Sequence, residues 1–341
     1  MSEPSVPIGI GIVSTGIYIP KTFMTSRQIA EEAGLPQEVV ENKLGIRKKP
    51  IPDRDDHTCE MGIRAARLAI EKAGIDPGEI DLVIYIGEEH KEYLLWTAGI
   101  KLQHEVGAVN AWAFDVALRC GTTVMALKMA KDMMRSDPSI HTVLLAGGYR
   151  NCDYIDYKNP RTRFMYNLAA GGGAIILQKG YPRNQVLESH LITDGSFSED
   201  VVVVAGGTKR PISVEAIEKR LNYLDVTDPE GMKQRLEQKT MDHFLNVIRM
   251  SLEKSGYQEK DIRYLAILHM KKSAHDHVLR ELGLSEEQSI YLSDYGHIGQ
   301  IDQILSLELG LKEGRIRDGD VVVLVSAGIG YAWGATTIRW G

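Results

Sequence analysis

Cysteine is scarce in this chain. Its 341 residues hold three, Cys59, Cys120 and Cys152, far apart and without a Cys-x-x-Cys pair. So sparse and odd a set excludes a disulfide framework and fits a reducing, cytoplasmic setting, where a cysteine that matters does so as a thiol. A basic excess is lacking too. Lys and Arg number 40 against 46 Asp and Glu, a net charge of −6, which argues against a nucleic-acid binder because nothing is left over to replace phosphate counterions. Long hydrophobic runs are absent. The most apolar stretches, Val201–Ala205 and Val321–Val325, fall far short of the roughly 20 residues that span a bilayer, so no membrane residence is expected. The opening Met-Ser-Glu-Pro-Ser has no basic residue before its apolar run, and no secretory signal is expected there.

What is present is a length and a pattern. At roughly 150 residues per domain the chain suits two domains or two halves of one large fold. Short β-branched runs read as strands: Ile8–Val13, Leu82–Ile86, Val143–Ala146, Ala174–Leu177, Val201–Ala205, Tyr264–Leu268 and Val321–Val325. Between them Glu60–Ala73, Thr122–Met134 and Met232–Lys254 carry apolar residues at helical spacing, so the pattern predicts a layered α/β fold with buried strands. The chain also repeats itself. Glu71-Lys72-Ala73-Gly74 and the strand ending at Gly87 are echoed 182 residues later by Glu253-Lys254-Ser255-Gly256 and the strand ending at His269. Phe114-Asp115-Val116 leading to Cys120 matches Tyr291-Leu292-Ser293 leading to His297 at a similar offset. Two halves, residues 1–178 and 179–341, are expected on this reading, with related strand ends converging on one site; the alternative is that helix–Gly–strand units look alike in any α/β protein.

Cys120 lies between a strand expected at Ala113–Val116 and a helix opening near Gly121-Thr122. A helix N-terminus favours the thiolate, the nucleophilic form, and Arg119 would favour it further if its side chain turns that way. The other reading of Cys120 is a buried structural thiol. Cys59 and Cys152 lack this setting. His269 ends a strand and His297 sits in the turn Asp294-Tyr295-Gly296-His297, and imidazoles that donate to or accept from a bound acyl group are what thiol-mediated acyl transfer needs. His275 and His277 show His-x-His spacing without a matching ligand set, so no metal site is expected. Val321–Val325 runs into Ser326-Ala327-Gly328-Ile329-Gly330-Tyr331-Ala332-Trp333-Gly334, where glycines let backbone N–H groups approach a ligand as an oxyanion hole would; a tight hairpin with packing glycines is the alternative.

Taken together these segments resemble the thiolase superfamily, most closely its β-ketoacyl-acyl-carrier-protein synthase III branch. The resemblance is carried by Leu44-Gly45-Ile46-Arg47, Phe114-Asp115-Val116-Ala117-Leu118-Arg119-Cys120, Gly171-Gly172-Gly173-Ala174, Thr193-Asp194-Gly195-Ser196, Leu268-His269, Tyr295-Gly296-His297 and the glycine-rich end. It implies a five-layered α-β-α-β-α fold from two duplicated halves, a homodimer, no metal or redox cofactor, and acyl-CoA or acyl-carrier-protein thioesters as substrates and partners. Cys120 would then accept the acyl group, the backbones of Cys120 and Ile329 would form the oxyanion hole, and His269 and His297 would polarise the extender's thioester carbonyl.

The departures are specific. His297 stands where this branch carries Asn, which leaves a Cys-His-His set like that of the elongating synthases. Val39 replaces the coenzyme-A-stacking Trp and Lys43 a phosphate-contacting Arg; Lys43, Arg47 and Lys272 are the substrate-binding candidates. Glu88 and Glu89 follow the Leu82–Ile86 strand where the hydroxymethylglutaryl-CoA synthase branch carries a catalytic glutamate, and Glu89 aligns best, counted back from Gly107. A buried carboxyl there would have a raised pKa and act as acid or base; a salt bridge to Arg119 is the alternative. The expected function is Claisen condensation of an acyl group on Cys120 with a malonyl-type or other carbon nucleophile. Acyl transfer to an alcohol or amine is the second expectation, and a silent acyl-thioester-binding protein the third.

Overall fold

The computed structural model of the protein describes residues 8–341. The first half runs β1 (Ile10–Tyr18), β2 (Phe23–Thr25), α1 (Ser26–Ala33), α2 (Gln37–Asn42), β3 (Lys48–Pro50), α3 (Thr58–Ala73), β4 (Leu82–Tyr85), α4 (Ala98–Val106), β5 (Trp112–Asp115), α5 (Thr122–Ser136), β6 (Thr142–Tyr149) and β7 (Gly171–Lys179). The second runs β8 (Gln185–Thr193), β9 (Val201–Val203), α6 (Val214–Glu218), β10 (Leu224–Val226), α7 (Pro229–Lys254), β11 (Ile262–Ile267), α8 (Lys272–Glu281), α9 (Asp302–Lys312), β12 (Val321–Gly328) and β13 (Ala332–Arg339).

The principal sheet has the order β11-β12-β13-β8-β1-β7-β6-β4-β5. Its two parts share a plan. In each, the first strand of the half lies beside the last, antiparallel to it, and the last is antiparallel to the strand before it; that strand in turn runs parallel to β4 or β11. The parts meet at β1 and β8, which pair through Gly11 and Gln185. Helices α3 and α4 cover the outer face of the first part and α7 that of the second, while α5 and α9 lie between them and touch strands of both. These are the five layers expected. Strand β6, Thr-Val-Leu-Leu-Ala-Gly-Gly-Tyr, is buried along its whole length, as a strand covered on both faces must be. Helix α3 lies unusually close to this sheet: a Cβ on Gly172 would stand 2.1 Å from the Met61 carbonyl oxygen, so only glycine permits the contact.

Several boundaries differ from the sequence reading. Strand β1 begins at Ile10, with Ile8 exposed, and continues to Tyr18 because Ser14 and Thr15 find partners, Ser14 Oγ donating to the Ala69 carbonyl at 2.7 Å and Thr15 Oγ1 to Glu308 at 2.6 Å. The Val201–Ala205 run yields only three strand residues, paired with β10 in a separate ribbon. Strand β8 went unnoticed because polar residues interrupt it. The starts of α5 and α9, Thr122 and Asp302, set the offset near the site at 180 residues. Cys120 therefore corresponds to Gln300 rather than His297, and Thr123 Oγ1 donates across to the Gln300 carbonyl at 2.6 Å.

Candidate active site

Cys120 occupies a single turn of 3-10 helix, Arg119–Gly121, that feeds directly into α5. Arg119 before it has φ +50°, a left-handed conformation that costs a non-glycine residue energy and persists only when its surroundings enforce it. They do so here. The Leu118 N–H donates to Thr122 Oγ1 at 2.8 Å, and that hydroxyl donates to the Arg119 carbonyl at 2.7 Å. The end of β12 presses on the same turn, where a Cβ on Gly328 would lie 3.1 Å from the Cys120 nitrogen. The Arg119 side chain turns away from the thiol, its guanidinium meeting Glu88 at 3.2 Å and Glu89 at 2.8 Å. Its electrostatic help to Cys120, conditional in the sequence reading, is therefore spent on carboxylates.

The group that does reach the sulfur is His297, with Nε2 3.1 Å from Cys120 Sγ. On its far side His297 Nδ1 meets Asp302 Oδ2 at 2.5 Å. Asp302 is wholly buried and also accepts from the His269 N–H at 2.8 Å and the Ile298 N–H at 2.7 Å. Burial alone would lower the His297 pKa, but Cys120 and Asp302 on either side override it and raise it well above the ordinary histidine value. The three side chains form a Cys-His-Asp line, a geometry in which the carboxylate orients the ring and the ring serves the nucleophile. Asp302 escaped the sequence reading because it opens a largely apolar helix, α9, and carries no motif of its own; a carboxylate five residues after a candidate histidine was the available signal.

His269 is placed differently. It follows β11, with Nδ1 2.8 Å from the Asn167 amide nitrogen and Nε2 3.1 Å from the Gly45 carbonyl. Burial pushes its pKa down to about 4, so this ring is neutral where His297 is charged. Asn167, from the loop before β7, also accepts the His297 N–H on its backbone carbonyl at 2.8 Å. Nothing in the local sequence marked it. Cys120, His269, His297 and Ile329 share one cavity of about 570 Å³. Its walls are mostly apolar, with Phe164, Met165, Met232, Met241, Phe244 and Met270 among them. Methionines let such a wall adapt to the shape of what it holds.

The other expected residues lie elsewhere. Glu88, not Glu89, is the buried carboxyl of that pair, and desolvation raises its pKa against the pull of Arg119. Glu89 is 65% exposed at its side chain and lines a surface cleft that shares Ile329 and Tyr331 with the Cys120 cavity. The basic trio is likewise not at the cavity. Lys43 is exposed at the end of α2. Arg47 pairs with Asp294 at 2.5 Å, and Lys272 pairs with Asp276 and Glu286. Arg47 and Lys272 border a different hollow beside His275. The basic residues that do border the Cys120 cavity are Arg161, Lys233 and Lys271, which no motif singled out. Asp115 is structural: it accepts the N–H groups of Ala98 and Gly99 at the start of α4 and pairs with Lys91.

Comparison with known proteins gives a consistent picture. The family model described as 3-oxoacyl-[acyl-carrier-protein] synthase III matches residues 114–195, and the model of that family's C-terminal part matches residues 252–340; together they span just over half of the chain. The β-ketoacyl-[acyl-carrier-protein] synthase III of Symbiobacterium thermophilum is 28% identical over 333 residues, 97% of this chain and 98% of that one. That of Caldanaerobacter subterraneus is 26% identical over 335 residues, 98% of each. The crystal structure of 3-oxoacyl-(acyl carrier protein) synthase III from Pseudomonas aeruginosa superposes with a TM-score of 0.84 at 21% identity, covering 97% of this chain and 98% of that one, so the fold is shared.

Proposed function

Because the chain belongs to the 3-oxoacyl-[acyl-carrier-protein] synthase III family of the thiolase superfamily and is an acyl-thioester condensing enzyme, we propose that Cys120, His297, Asp302 and His269 divide its chemistry between them. The observation that carries this reading is the contact of His297 Nε2 with Cys120 Sγ, backed by Asp302 and opening into an apolar cavity with His269. Cys120 as thiolate attacks the thioester carbonyl. A sulfur–carbon bond forms, the carrier's thiolate leaves, and the His297 imidazolium returns a proton to it. The backbone N–H groups of Cys120 and Ile329 hold the tetrahedral oxyanion.

In the second half-reaction His269 presents its Nε2–H to the thioester oxygen of a malonyl-type extender. Loss of CO₂ leaves an enolate at that oxygen. The enolate carbon attacks the acyl carbon and Cys120 departs as thiolate; His297 takes up from solvent the proton it gave to the carrier's thiol, which restores the starting state. No step calls for a metal or redox cofactor. Lys233 and Lys271 at the cavity supply positive charge for the phosphate-bearing arm of an acyl-CoA or acyl carrier protein, while Arg161 beside them is paired with Asp225 at 2.5 Å. The division at 178/179 falls one residue short of the end of β7 and ahead of β8, so residues 1–178 present the nucleophile and 179–341 the two histidines. Three unpaired thiols support a cytoplasmic location. A homodimer belongs to this reading as well: β5 is an edge strand carrying half-exposed Trp112, and Leu94 and Leu95 in the loop before α4 are exposed; an edge of that kind is a template for pairing with a second copy.

Acyl transfer to an alcohol or amine is the second reading, favoured by the same Asp302–His297 pair, which would serve as a general base for a hydroxyl. Intact-protein mass spectrometry after incubation with a panel of acyl-CoAs tests acylation. Labelled malonyl thioester then separates the readings: CO₂ release coupled to a longer product supports decarboxylative condensation, and an acyl-enzyme that never releases CO₂ overturns that step and leaves condensation with another carbon nucleophile or transfer to an alcohol or amine.

A further inference from the structure

We propose that Asn167 is a positioning residue that fixes which nitrogen of His269 carries the proton. The inference deepens the condensation reading and rests on it for its consequence. The His269 ring is 2% exposed, and two polar groups meet its nitrogens. The Gly45 carbonyl 3.1 Å from Nε2 can only accept, so Nε2 must bear hydrogen. In a neutral ring Nδ1 is then a bare lone pair, and the group facing it at 2.8 Å, Asn167 Nδ2, is a donor. The reverse orientation of the amide would need hydrogen on Nδ1 and would set the Nε2 lone pair against the Gly45 oxygen. The amide assignment therefore follows from the chemistry of both ends of the ring.

Asn167 is itself held on three sides. Its carbonyl accepts the His297 N–H at 2.8 Å, and the Ala169 N–H donates back to the His297 carbonyl at 2.9 Å. The carbonyls on either side of it, those of Tyr166 and Leu168, both accept from Lys49 Nζ, at 2.7 and 2.6 Å. Lys49 is fully buried beside the Tyr157 ring. A buried ammonium is costly unless its hydrogens are used, and this one uses them to clamp the two peptide groups that flank Asn167. The clamp thus registers one segment against both catalytic imidazoles. Its product is a neutral His269 whose Nε2–H is ready to pass from the Gly45 oxygen to an extender's thioester oxygen. The ionisable groups around this ring are Asp302, His297, His275 and Tyr291, whose ring stacks on it with centroids 5.2 Å apart, and none of them meets Nδ1 as Asn167 does.

The decisive variant is Asn167→Asp, which keeps shape but replaces a donor by a carboxylate. That group accepts from Nδ1–H, so the neutral ring is forced into the opposite tautomer. Full protonation, favoured by the new charge, restores Nε2–H only at low pH. Ring-nitrogen NMR of protein labelled with ¹⁵N-histidine should show the wild-type His269 as Nε2–H. In Asn167→Asp it should be Nδ1–H at high pH and doubly protonated at low pH. CO₂ release from malonyl thioester, taken relative to acylation of the same variant, should fall by about 10² at high pH, the usual cost of one oxyanion donor, and recover on acidification. Asn167→Ala removes the donor without adding charge and should show a mixed ring signature with a pH-independent loss. A wild-type ring signature in either variant overturns the proposal, as does a CO₂-to-acylation ratio within threefold of wild type at every pH. Should the wild type acylate without releasing CO₂, the decarboxylative condensation reading fails while the ring-nitrogen spectra still decide the role of Asn167.

Discussion

Replacing Asp302 by Asn tests the Cys-His-Asp line at its least visible member. The carboxylate accepts three hydrogen bonds, from His297 Nδ1, the His269 N–H and the Ile298 N–H. His297 Nδ1 and the His269 N–H share Oδ2, while the Ile298 N–H meets Oδ1, so an amide cannot satisfy all three. With its oxygen toward His297, the amide nitrogen faces the Ile298 N–H, donor against donor. Turned over, it faces both His297 Nδ1 and the His269 N–H and forces that ring nitrogen to accept, so the ring proton moves to Nε2. In either orientation the charge that holds the imidazolium is gone. In enzymes whose histidine leans on a carboxylate the same exchange costs about 10⁴ in rate through the wrong tautomer. Here Cys120 retains the start of α5, so the acylation rate should fall by about 10³, or about 4 kcal/mol of barrier. The assay is single-turnover acylation by an acyl-CoA, followed by intact mass. In wild type the rate should vary little with pH around neutrality, because Cys120 and Asp302 together hold the His297 imidazolium. In Asp302→Asn it should vary with pH, because the buried charge no longer holds that imidazolium. Imperfect burial of the amide should lower stability by about 1–3 kcal/mol, so folding is followed by melting temperature alongside. A folded Asp302→Asn protein that acylates within threefold of wild type would refute the reasoning.

Cys120 should be the single acylated thiol: Cys120→Ala abolishes the adduct, and Cys59→Ala and Cys152→Ala keep it, since burial raises both of those pKa values, that of Cys152 to about 12; an adduct surviving in Cys120→Ala removes the mechanism. Acid should weaken the fold through its buried neutral histidines. His269 and His275 have folded pKa values of about 4 against about 6.5 unfolded, so the unfolded chain binds the extra protons between those values. Stability is complete above about pH 6.5 and falls as the pH drops toward 4, by up to about 3 kcal/mol for each ring. His297 works in the opposite sense and at higher pH, because its folded pKa is raised. His275 Nδ1 is buried without a partner, so urea titrations of His275→Phe should show a smaller loss between pH 7 and 5; an unchanged loss would acquit this ring. Light scattering at micromolar concentration should find a dimer, and Leu95→Asp, on the exposed loop before α4, should shift it toward monomer; a monomeric wild type would count against the edge-strand interface.

The nucleophile and the layered fold were legible because their signals are local. An apolar strand, a cysteine and a helix start lie within ten residues of one another around Cys120, and β4, β6, β11 and β12 announce themselves by continuous burial-prone side chains. The repeat placed His269 at a strand end without any knowledge of what it faces. What only the tertiary structure decided is which atoms meet. Glu88 and Glu89 are adjacent in sequence, yet the local direction of the chain buries one and exposes the other. Arg119 precedes the thiol but spends its charge on those carboxylates. Lys43, Arg47 and Lys272 are basic and flank the family-like segments, while Arg161, Lys233 and Lys271, unmarked by any motif, border the cavity. His297 and Cys120 are 177 residues apart and Asn167 is 102 from His269; their contacts depend on how two half-sheets and the helix layer between them are registered. A hydrogen bond is sensitive to a few tenths of an ångström, and that precision comes from packing across the layers, which no local pattern of residues encodes.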